Sequence, residues 1–421
     1  MSESIEPSPI AVGERIEAMD VLRGFALLGI LLMNIEAFVG PPIGSLSGLD
    51  PTLTGVDRIV DAVICILVQG KFYLLFSLLF GMGFAVMMQR ATARGHAFAA
   101  PYLRRTLALL AIGLIHLLLI WSGDILTVYA LIALPLLLVF RQVPTGHLPY
   151  WALGLYALTV LMVAGFSALG ALAQLDPGGA AMMQDELKKE AAGMARLLAA
   201  ERAAYGSGSY GQAAGQRAQD AAVMAPYILL MGGQILDMFV LGAWFVRSGA
   251  IRQPQRPRLY ATLRLIALPV GLGLMSISFW MVPTVAFDRL DLTSGIATVL
   301  MLIASPLMSL GYLAWILSVL DAGTANAGAR WLRRLAPAGR MALTNYLVQS
   351  LVCTLVFYGY GLGYFEQLPR AWQVPFVFAL FALQVLFSRW WLARYRYGPA
   401  EWIWRAVTYL RVPAMRASAA V

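Results

Sequence analysis

Long apolar runs separated by short polar stretches make up most of the chain. Each run is about 17 to 27 residues long, which is the length that an α-helix needs to cross roughly 30 Å of hydrocarbon. The pattern therefore predicts ten transmembrane helices. They lie near residues 21–39, 72–89, 103–121, 125–141, 148–173, 224–246, 260–284, 294–320, 341–362 and 373–391.

Two segments depart from this pattern. Residues 56–69 are shorter and carry Asp57 and Asp61 one helical turn apart, which predicts a helix that lies at the interface or re-enters the bundle. Residues 174–223 are polar, and their apolar positions recur at three and four residues, which predicts an outer amphipathic helix or hairpin. Within them, the stretch GSGSYGQAAGQ at 206–216 is typical of a flexible connection.

The composition agrees with a membrane protein. Hydrophobic residues make up 60% of the 421, charged residues only 13%, and the mean hydropathy is +0.72. Such a chain is too apolar for the surface of a soluble domain. The two cysteines, Cys65 and Cys353, have no Cys or His at metal-ligand spacing, so no disulfide, redox pair or metal site is expected. We therefore predict an all-α integral membrane protein, a polytopic bundle of about ten transmembrane helices.

The basic residues predict the orientation of this bundle. An N-terminus in the cytoplasm places most of the 31 Lys and Arg residues in cytoplasmic segments, and the C-terminus is then cytoplasmic as well. The net charge of +9 follows from this topology beside anionic lipid, so no nucleic-acid partner is expected. The first 18 residues lack the features of a signal peptide. The predicted organisation is a cytoplasmic tail at 1–18, one transmembrane domain at 19–397 that includes the outer loop 174–223, and a cytoplasmic juxtamembrane tail at 398–421.

The first predicted helix carries polar residues that are costly in hydrocarbon. Arg23 and Asn34 are eleven positions apart, so they share one face of the helix near its opposite ends. Asp20 lies one turn before Arg23 and can neutralise it. Two interpretations stay open: a surface ion pair with an asparagine bonded to a neighbouring helix, or a functional site.

His116 is the only histidine in a predicted span. It lies five residues before Trp121, whose indole suits the outer interface, so its depth is roughly 8 Å and similar to that of Asn34. Histidine is the usual general base near neutral pH, although a lone histidine can instead bond to a backbone carbonyl. Asp124, at the start of the next span, can cap that helix, or it can orient His116 or a substrate.

Further polar residues lie inside later spans. Asp237 lies one turn from Gln234 in the sixth, and Asn345 lies one turn from Gln349 in the ninth. They are consistent with a polar interior path, although hydrogen bonds between helices would produce the same pattern. Motifs of soluble enzymes, such as a phosphate-binding loop or a nucleophile elbow, are absent from the sequence.

Five stretches together resemble the YeiB-like family of bacterial inner-membrane proteins, those that carry domain of unknown function 418. The match runs from about residue 16 to 410, and the family has no firmly assigned activity. The stretches are DVLRGFALLGILLMN, GKFYLLFSLLFGMGFAV, GDILTVYAL, GRMALTNYLVQS and RYRYGPAEWIWR. The resemblance implies a multi-pass protein of the bacterial inner membrane.

The first helix is also similar to that of heparan-alpha-glucosaminide N-acetyltransferases and of membrane O-acyltransferases, in which a histidine takes the position of Asn34. This resemblance implies a fold of ten or eleven helices that takes acyl groups from cytosolic acyl-CoA, acetyl-CoA among them, to an acceptor on the far side. The segment 40–56 has no histidine where the glucosaminide enzymes carry theirs. His116 is therefore a substitute candidate for the base.

The favoured hypothesis is a membrane-embedded acyltransferase with acyl-CoA as donor substrate and no metal. His116 would act as the base, Asn34 would polarise the carbonyl, and Asp124 would orient the base. The substrate-binding candidates are Arg23, Asp20, Asp237, Asn345 and Gln349. The expected partners are the lipid bilayer and a small-molecule acceptor, and a homodimer is left open.

Two other classes of function remain. The first is a transporter or permease for a small polar or amphiphilic solute, with Arg23, Asn34, Asp237 and Gln349 lining its path. The second is a catalytically inert membrane scaffold.

Overall fold

The fold is all-α, as the hydropathy pattern predicts. The structure, a computed structural model, describes residues 17–251, 256–284, 291–323 and 325–416, with the backbone alone at 227–230. Among these residues there are helices, turns and two isolated β-bridges, and no β-strand. Nearly all of the predicted tail at 1–18 lies outside the described residues.

Sixteen α-helices follow one another along the described chain. They are α1 Glu17–Val39, α2 Gly55–Leu67, α3 Phe72–Ala93, α4 Ala99–Ile115, α5 Leu126–Pro135, α6 Leu148–Ala173, α7 Pro177–Glu201, α8 Tyr210–Arg247, α9 Pro257–Thr262, α10 Leu268–Met281, α11 Leu292–Asp321, α12 Ala327–Arg333, α13 Ala336–Arg340, α14 Ala342–Phe357, α15 Arg370–Leu392 and α16 Pro399–Tyr409. Short π-helical turns extend α4, α5 and α7 and join α9 to α10.

The membrane-spanning character of these helices is confirmed. Seven helical segments in the described ranges are long and apolar enough to cross a membrane, and nine are if each of two bent pairs is one span. A shorter apolar helix covers Leu126–Phe140. Together these segments coincide with the ten regions that the apolar runs predict. The protein is therefore a multi-pass membrane protein.

Small residues let α1 pack closely against the start of the α13 segment. A Cβ atom added to Gly24 would lie 2.3 Å from the carbonyl oxygen of Leu335, and one added to Gly339 would lie 1.9 Å from that of Asp20. Only glycine permits this approach, which is a common way for membrane helices to gain packing contacts. The contact holds Asp20 and Arg23 beside the segment that carries Arg340.

At the other end of α1, a buried ion cluster joins three helices. The Arg370 guanidinium lies 2.8 Å from Asp61 and 3.1 Å from Glu36, and Asp57 accepts a hydrogen bond from the Ala371 amide. Arg370 and Asp61 are almost fully buried, so each charge depends on the other for its stabilisation. The two aspartates of α2 thus anchor this short helix to α15.

Residues 174–223, which the sequence predicts as an outer loop, form a helical hairpin, with α7 as its first arm and the start of α8 as its second. The prediction of a flexible connection at 206–216 is wrong, because α8 begins at Tyr210. Ser209 and Gln212 form a capping box, in which each side chain bonds to the backbone amide of the other residue. This pair satisfies the amide groups at the helix start and outweighs the glycines nearby.

Candidate functional site

A cavity of about 290 Å³ opens between α1, α3, α4, α14 and α16. Its lining on α1 extends from Met19 to Ile30, which is roughly 16 Å along the helix axis. Six arginines line the part nearest the loop between α3 and α4, which we call the arginine end. They are Arg23, Arg90, Arg94, Arg105, Arg340 and Arg405.

Contacts within α1 and between α4 and α16 fix the arginine end. Asp20 pairs with Arg23 at 3.0 Å, and the Arg105 guanidinium lies 3.5 Å from the centre of the Trp404 ring. The Trp404 indole also donates a hydrogen bond to the Arg105 carbonyl. Since α16 supplies Trp404, the predicted juxtamembrane tail at 398–421 includes a helix that packs on α4 and forms part of the cavity wall.

Glu401 of α16 holds the start of α14. Its carboxyl group accepts hydrogen bonds from the Leu343 and Thr344 amides, which have no partner within α14 because the preceding segment meets α14 at 80°. Burial raises the pKa of Glu401, which favours its neutral form. Six arginines outnumber the two acidic residues of the lining, Asp20 and Glu401, so the electrostatic potential at this end is positive and suits an anionic group.

The opposite end of the cavity is mostly apolar. Leu27, Ile30, Leu79 and Phe80 line its walls. Ile125 and Tyr346 also line this end, and His116 is the next side chain beyond Tyr346. The ring of Tyr346 is 5.1 Å from the ring of His116, whose side chain is not part of the cavity lining. The cavity therefore extends from the six arginines to Tyr346, and the ring of Tyr346 lies beside that of His116.

His116 and Asp124 form a buried pair next to Tyr346. The Nδ1 atom of His116 lies 2.9 Å from Oδ1 of Asp124, and both side chains are fully buried. The second oxygen of Asp124 accepts a hydrogen bond from the Thr127 amide at the start of α5. Asp124 therefore caps α5 and also bonds to His116, and its position in the sequence allows both roles.

Two polar atoms at this pair are buried with no hydrogen-bond partner among the described residues. They are Nε2 of His116 and Nε1 of the neighbouring Trp121. The hairpin lies over this region, because the Tyr210 hydroxyl bonds to the Leu119 carbonyl. Unpartnered polar atoms are rare in protein interiors, and here the two rings that carry them have their centres 6.4 Å apart.

The structure does not bring Asn34 into the site. Its side chain is partly exposed, makes no hydrogen bond within the described residues and does not line the cavity. Asp237 lies elsewhere as well. It is buried on α8, one of its oxygens has no described partner, and neighbouring Gln234 accepts a hydrogen bond from Tyr73.

The polar pair of α14 is used in helix packing. The side chain of Asn345 donates to the Ala338 carbonyl and to Ser388, and Gln349 donates to Gln384. Gln384 in turn donates to the Asn345 carbonyl. Both predicted substrate-binding residues therefore join α14 to α15, and neither lines the cavity. Hydrogen bonds between helices, the alternative interpretation of their spacing, account for them.

Sequence reasoning missed Tyr346 and Glu401 as members of the site. Each belongs to one of the stretches that carry the family resemblance, GRMALTNYLVQS and RYRYGPAEWIWR. In the second, Glu401, Trp404 and Arg405 recur at three and four residues, so they share a face of α16. That spacing is the feature of the sequence from which Glu401 could have been predicted as a member of the site. As for metals, no group of three or more His, Cys, Asp or Glu side chains in the described ranges is placed to hold one.

Comparison with known proteins finds relatives of the same length. A family model described as a protein of unknown function, DUF418, matches residues 245–411. The chain is 34% identical over 419 residues to uncharacterized protein YxaH of Bacillus subtilis, with 96% of each chain covered. It is 31% identical over 411 residues to uncharacterized protein YeiB of Escherichia coli, covering 94% of this chain and 96% of that one. No solved structure matches it.

Proposed function

The chain belongs to the YeiB-like DUF418 family of membrane proteins, and we propose that it is a transmembrane acyltransferase. In this proposal the protein lies in the bacterial inner membrane with its arginine end in the cytoplasm. It takes an acyl group from cytosolic acyl-CoA, such as acetyl-CoA, and transfers it to a hydroxyl or amine acceptor that arrives from the outer side. The observation that carries the proposal is the cavity that extends from six arginines to Tyr346, whose ring lies 5.1 Å from the ring of His116.

The arginine end matches the phosphate groups of CoA. Arginine binds phosphate oxygens with two parallel hydrogen bonds, and its charge persists at every physiological pH. The nucleotide would lie at the open mouth. The cavity itself, at about 290 Å³, is close to the lower end of small-molecule sites and would take the thinner pantetheine arm and a short acyl chain.

The deep end matches the reacting groups. The apolar walls formed by Leu27, Ile30 and Leu79 would exclude water from the thioester. His116 lies one ring away from this end, and Asp124 holds it in place. Its unpartnered Nε2 is the atom that would take the proton from an acceptor.

The resemblance of the first helix to transmembrane acyltransferases supports the same reaction. Arg23 lines the cavity, in keeping with a part in donor binding. Asn34 has no part in the proposal, since it lies outside the cavity lining. A transport path through Arg23, Asn34, Asp237 and Gln349 is less well supported, because only Arg23 of these four residues lines the cavity.

Binding of acetyl-CoA to the purified protein in lipid nanodiscs tests this proposal. We expect saturable binding by calorimetry, and we expect Arg94→Gln to weaken it about ten- to a hundredfold, the loss that follows from removing a charged hydrogen bond worth about 1.5–3 kcal/mol. Arg389→Gln is the matched control, because Arg389 is exposed on α15 and does not line the cavity. Folded wild-type protein that binds no acetyl-CoA, or equal affinities in all three proteins, would contradict the proposal.

A further inference from the structure

We propose that the hydroxyl group of Tyr346 donates a hydrogen bond to the thioester carbonyl of bound acyl-CoA and stabilises the oxyanion that forms there. The inference rests on the proposed function and assigns to Tyr346 the carbonyl-polarising role that the sequence suggested for Asn34. In this role Tyr346 would touch the reacting atoms.

The position of Tyr346 is the first reason. It lines the deep end of the cavity, and its ring lies 5.1 Å from the ring of His116. A thioester that reaches this end would contact Tyr346. His116 would be the next side chain beyond the tyrosine. An oxyanion donor and a general base must lie close to the same carbonyl, and the side chains of Tyr346 and His116 are neighbours.

The hydrogen-bonding state of Tyr346 is the second reason. Its oxygen accepts a long hydrogen bond of 3.4 Å from the Ile125 amide, and its own hydrogen has no acceptor among the described residues. A tyrosine hydroxyl is both donor and acceptor, so Tyr346 has one donor left to offer. The side chain is 5% exposed, which leaves the cavity as the place from which an acceptor can come.

Tyr129 provides a contrast within the same cavity. Its hydroxyl donates to the Tyr73 carbonyl and accepts from Ser77, each at 2.8 Å. Both hydrogen-bonding capacities of Tyr129 are therefore used by the protein. Of these two tyrosines, Tyr346 is the one that retains a donor.

The framework around Tyr346 is rigid. Glu401 fixes the start of α14 through the Leu343 and Thr344 amides, one turn before Tyr346. Asn345, the neighbouring residue, is bonded to Ser388 of α15. A donor held by its surroundings before the reaction stabilises a developing charge without having to reorganise.

The proposed transfer proceeds by addition of the acceptor and then loss of CoA. The lone pair of the acceptor oxygen or nitrogen forms a bond to the thioester carbon, and the acceptor proton passes to Nε2 of His116. The carbonyl electron pair moves to the oxygen, where the Tyr346 O–H group stabilises it. When the carbonyl re-forms, the carbon–sulfur bond breaks, and the CoA thiolate takes the proton from His116. The products are the acylated acceptor and free CoA.

Isotope-edited infrared spectroscopy tests this contact without an acceptor. Acetyl-CoA labelled with ¹³C at its carbonyl is bound to wild-type protein, to Tyr346→Phe and to Tyr129→Phe, all in nanodiscs. A hydrogen bond to a carbonyl lowers its stretching frequency. We expect the labelled band to lie at a higher frequency in Tyr346→Phe than in wild type, and to be unchanged in Tyr129→Phe, with acetyl-CoA affinities that stay within a few-fold.

The outcomes separate the two proposals. If all three proteins bind acetyl-CoA and the band is the same in wild type and Tyr346→Phe, the hydrogen bond is absent and this inference is wrong, while the proposed function stands. If the band shifts equally in both tyrosine variants, the effect is one of packing and Tyr346 has no special part. If the folded wild type binds no acetyl-CoA, the proposed function fails and this inference fails with it.

Discussion

A carboxylate can only accept hydrogen bonds, and this determines which nitrogen of a neutral histidine beside it carries the proton. Because Asp124 accepts from Nδ1 of His116, the proton of the neutral imidazole lies on Nδ1, and Nε2 keeps its lone pair. Nε2 is also the atom with no described partner. A buried histidine held in this form can take up a proton and be stabilised by the carboxylate when it does so.

Substitution of His116 tests whether that lone pair matters. We expect His116→Gln to lower the release of CoA from acetyl-CoA in native membranes by about two to four decades, since glutamine cannot accept a proton at neutral pH. Glutamine can still donate to Asp124, so the thermal midpoint should change little. His147→Gln, at an exposed histidine, is the control. His116→Ala is less clean, because it leaves Asp124 with an unmet bond that costs about 1–3 kcal/mol. A fully active Gln variant would remove His116 from the mechanism.

The sequence predicts some residues of the site and misses others for a physical reason. His116 and Asp124 are eight residues apart, and each is unusual where it stands, so both can be found from the chain alone. Asn345 and Gln349 are equally unusual, but whether such a pair faces a cavity or a neighbouring helix depends on the rotation of the helix in the bundle. That rotation is set by packing, here against Gln384 and Ser388 of α15.

Among the elements, the hairpin formed by α7 and α8 is joined to the loop after α1 by a buried carboxyl group. Glu201, at the end of α7, is 1% exposed and accepts a hydrogen bond from the Ile43 amide. Burial, followed by the nearby charge of Asp220, raises the pKa of Glu201 to about 8. Arg202, which pairs with Glu366, acts in the opposite direction.

This pKa predicts a pH-dependent stability. The folded protein holds a proton on Glu201 that the unfolded chain releases above its ordinary pKa of 4.5, so the stabilisation is complete below about pH 4.5 and is lost as the pH rises through about 8. We expect the thermal midpoint to fall between pH 6 and 9 in wild type and to fall less in Glu201→Gln, a neutral mimic. Glu190→Gln, on an exposed part of the same helix, should behave as wild type. Equal slopes for wild type and Glu201→Gln would contradict the assignment.

The hairpin also marks a limit of element prediction. Its existence follows from the period of its apolar residues, but its second arm was hidden by glycines at 206, 208 and 211. The capping box formed by Ser209 and Gln212 overrides the helix-breaking tendency of those glycines. Local composition therefore favoured a loop, and a specific pair of side chains favoured a helix.

For the whole molecule, the apolar runs locate the helices of the described ranges that are long and apolar enough to cross a membrane. Hydrocarbon demands that each crossing segment satisfy its own backbone and be about 20 residues long, so length and hydropathy carry the information. The cavity was not predictable in this way. It arises where α16, a helix of 11 residues that is too short to be a span, packs on α4 and brings Trp404 and Arg405 to the arginine end.

Transfer across the membrane is the central claim, and a sided assay tests it most directly. Proteoliposomes are loaded with a desalted soluble extract of bacterial cell envelope, and acetyl-CoA labelled separately in its acetyl and adenine groups is added outside, to protein whose arginine end faces outward. We predict that acetyl label accumulates inside in covalent form, that adenine label stays outside, and that His116→Gln abolishes the accumulation. Entry of both labels together, or no covalent acetyl product from protein that binds acetyl-CoA, would contradict the account.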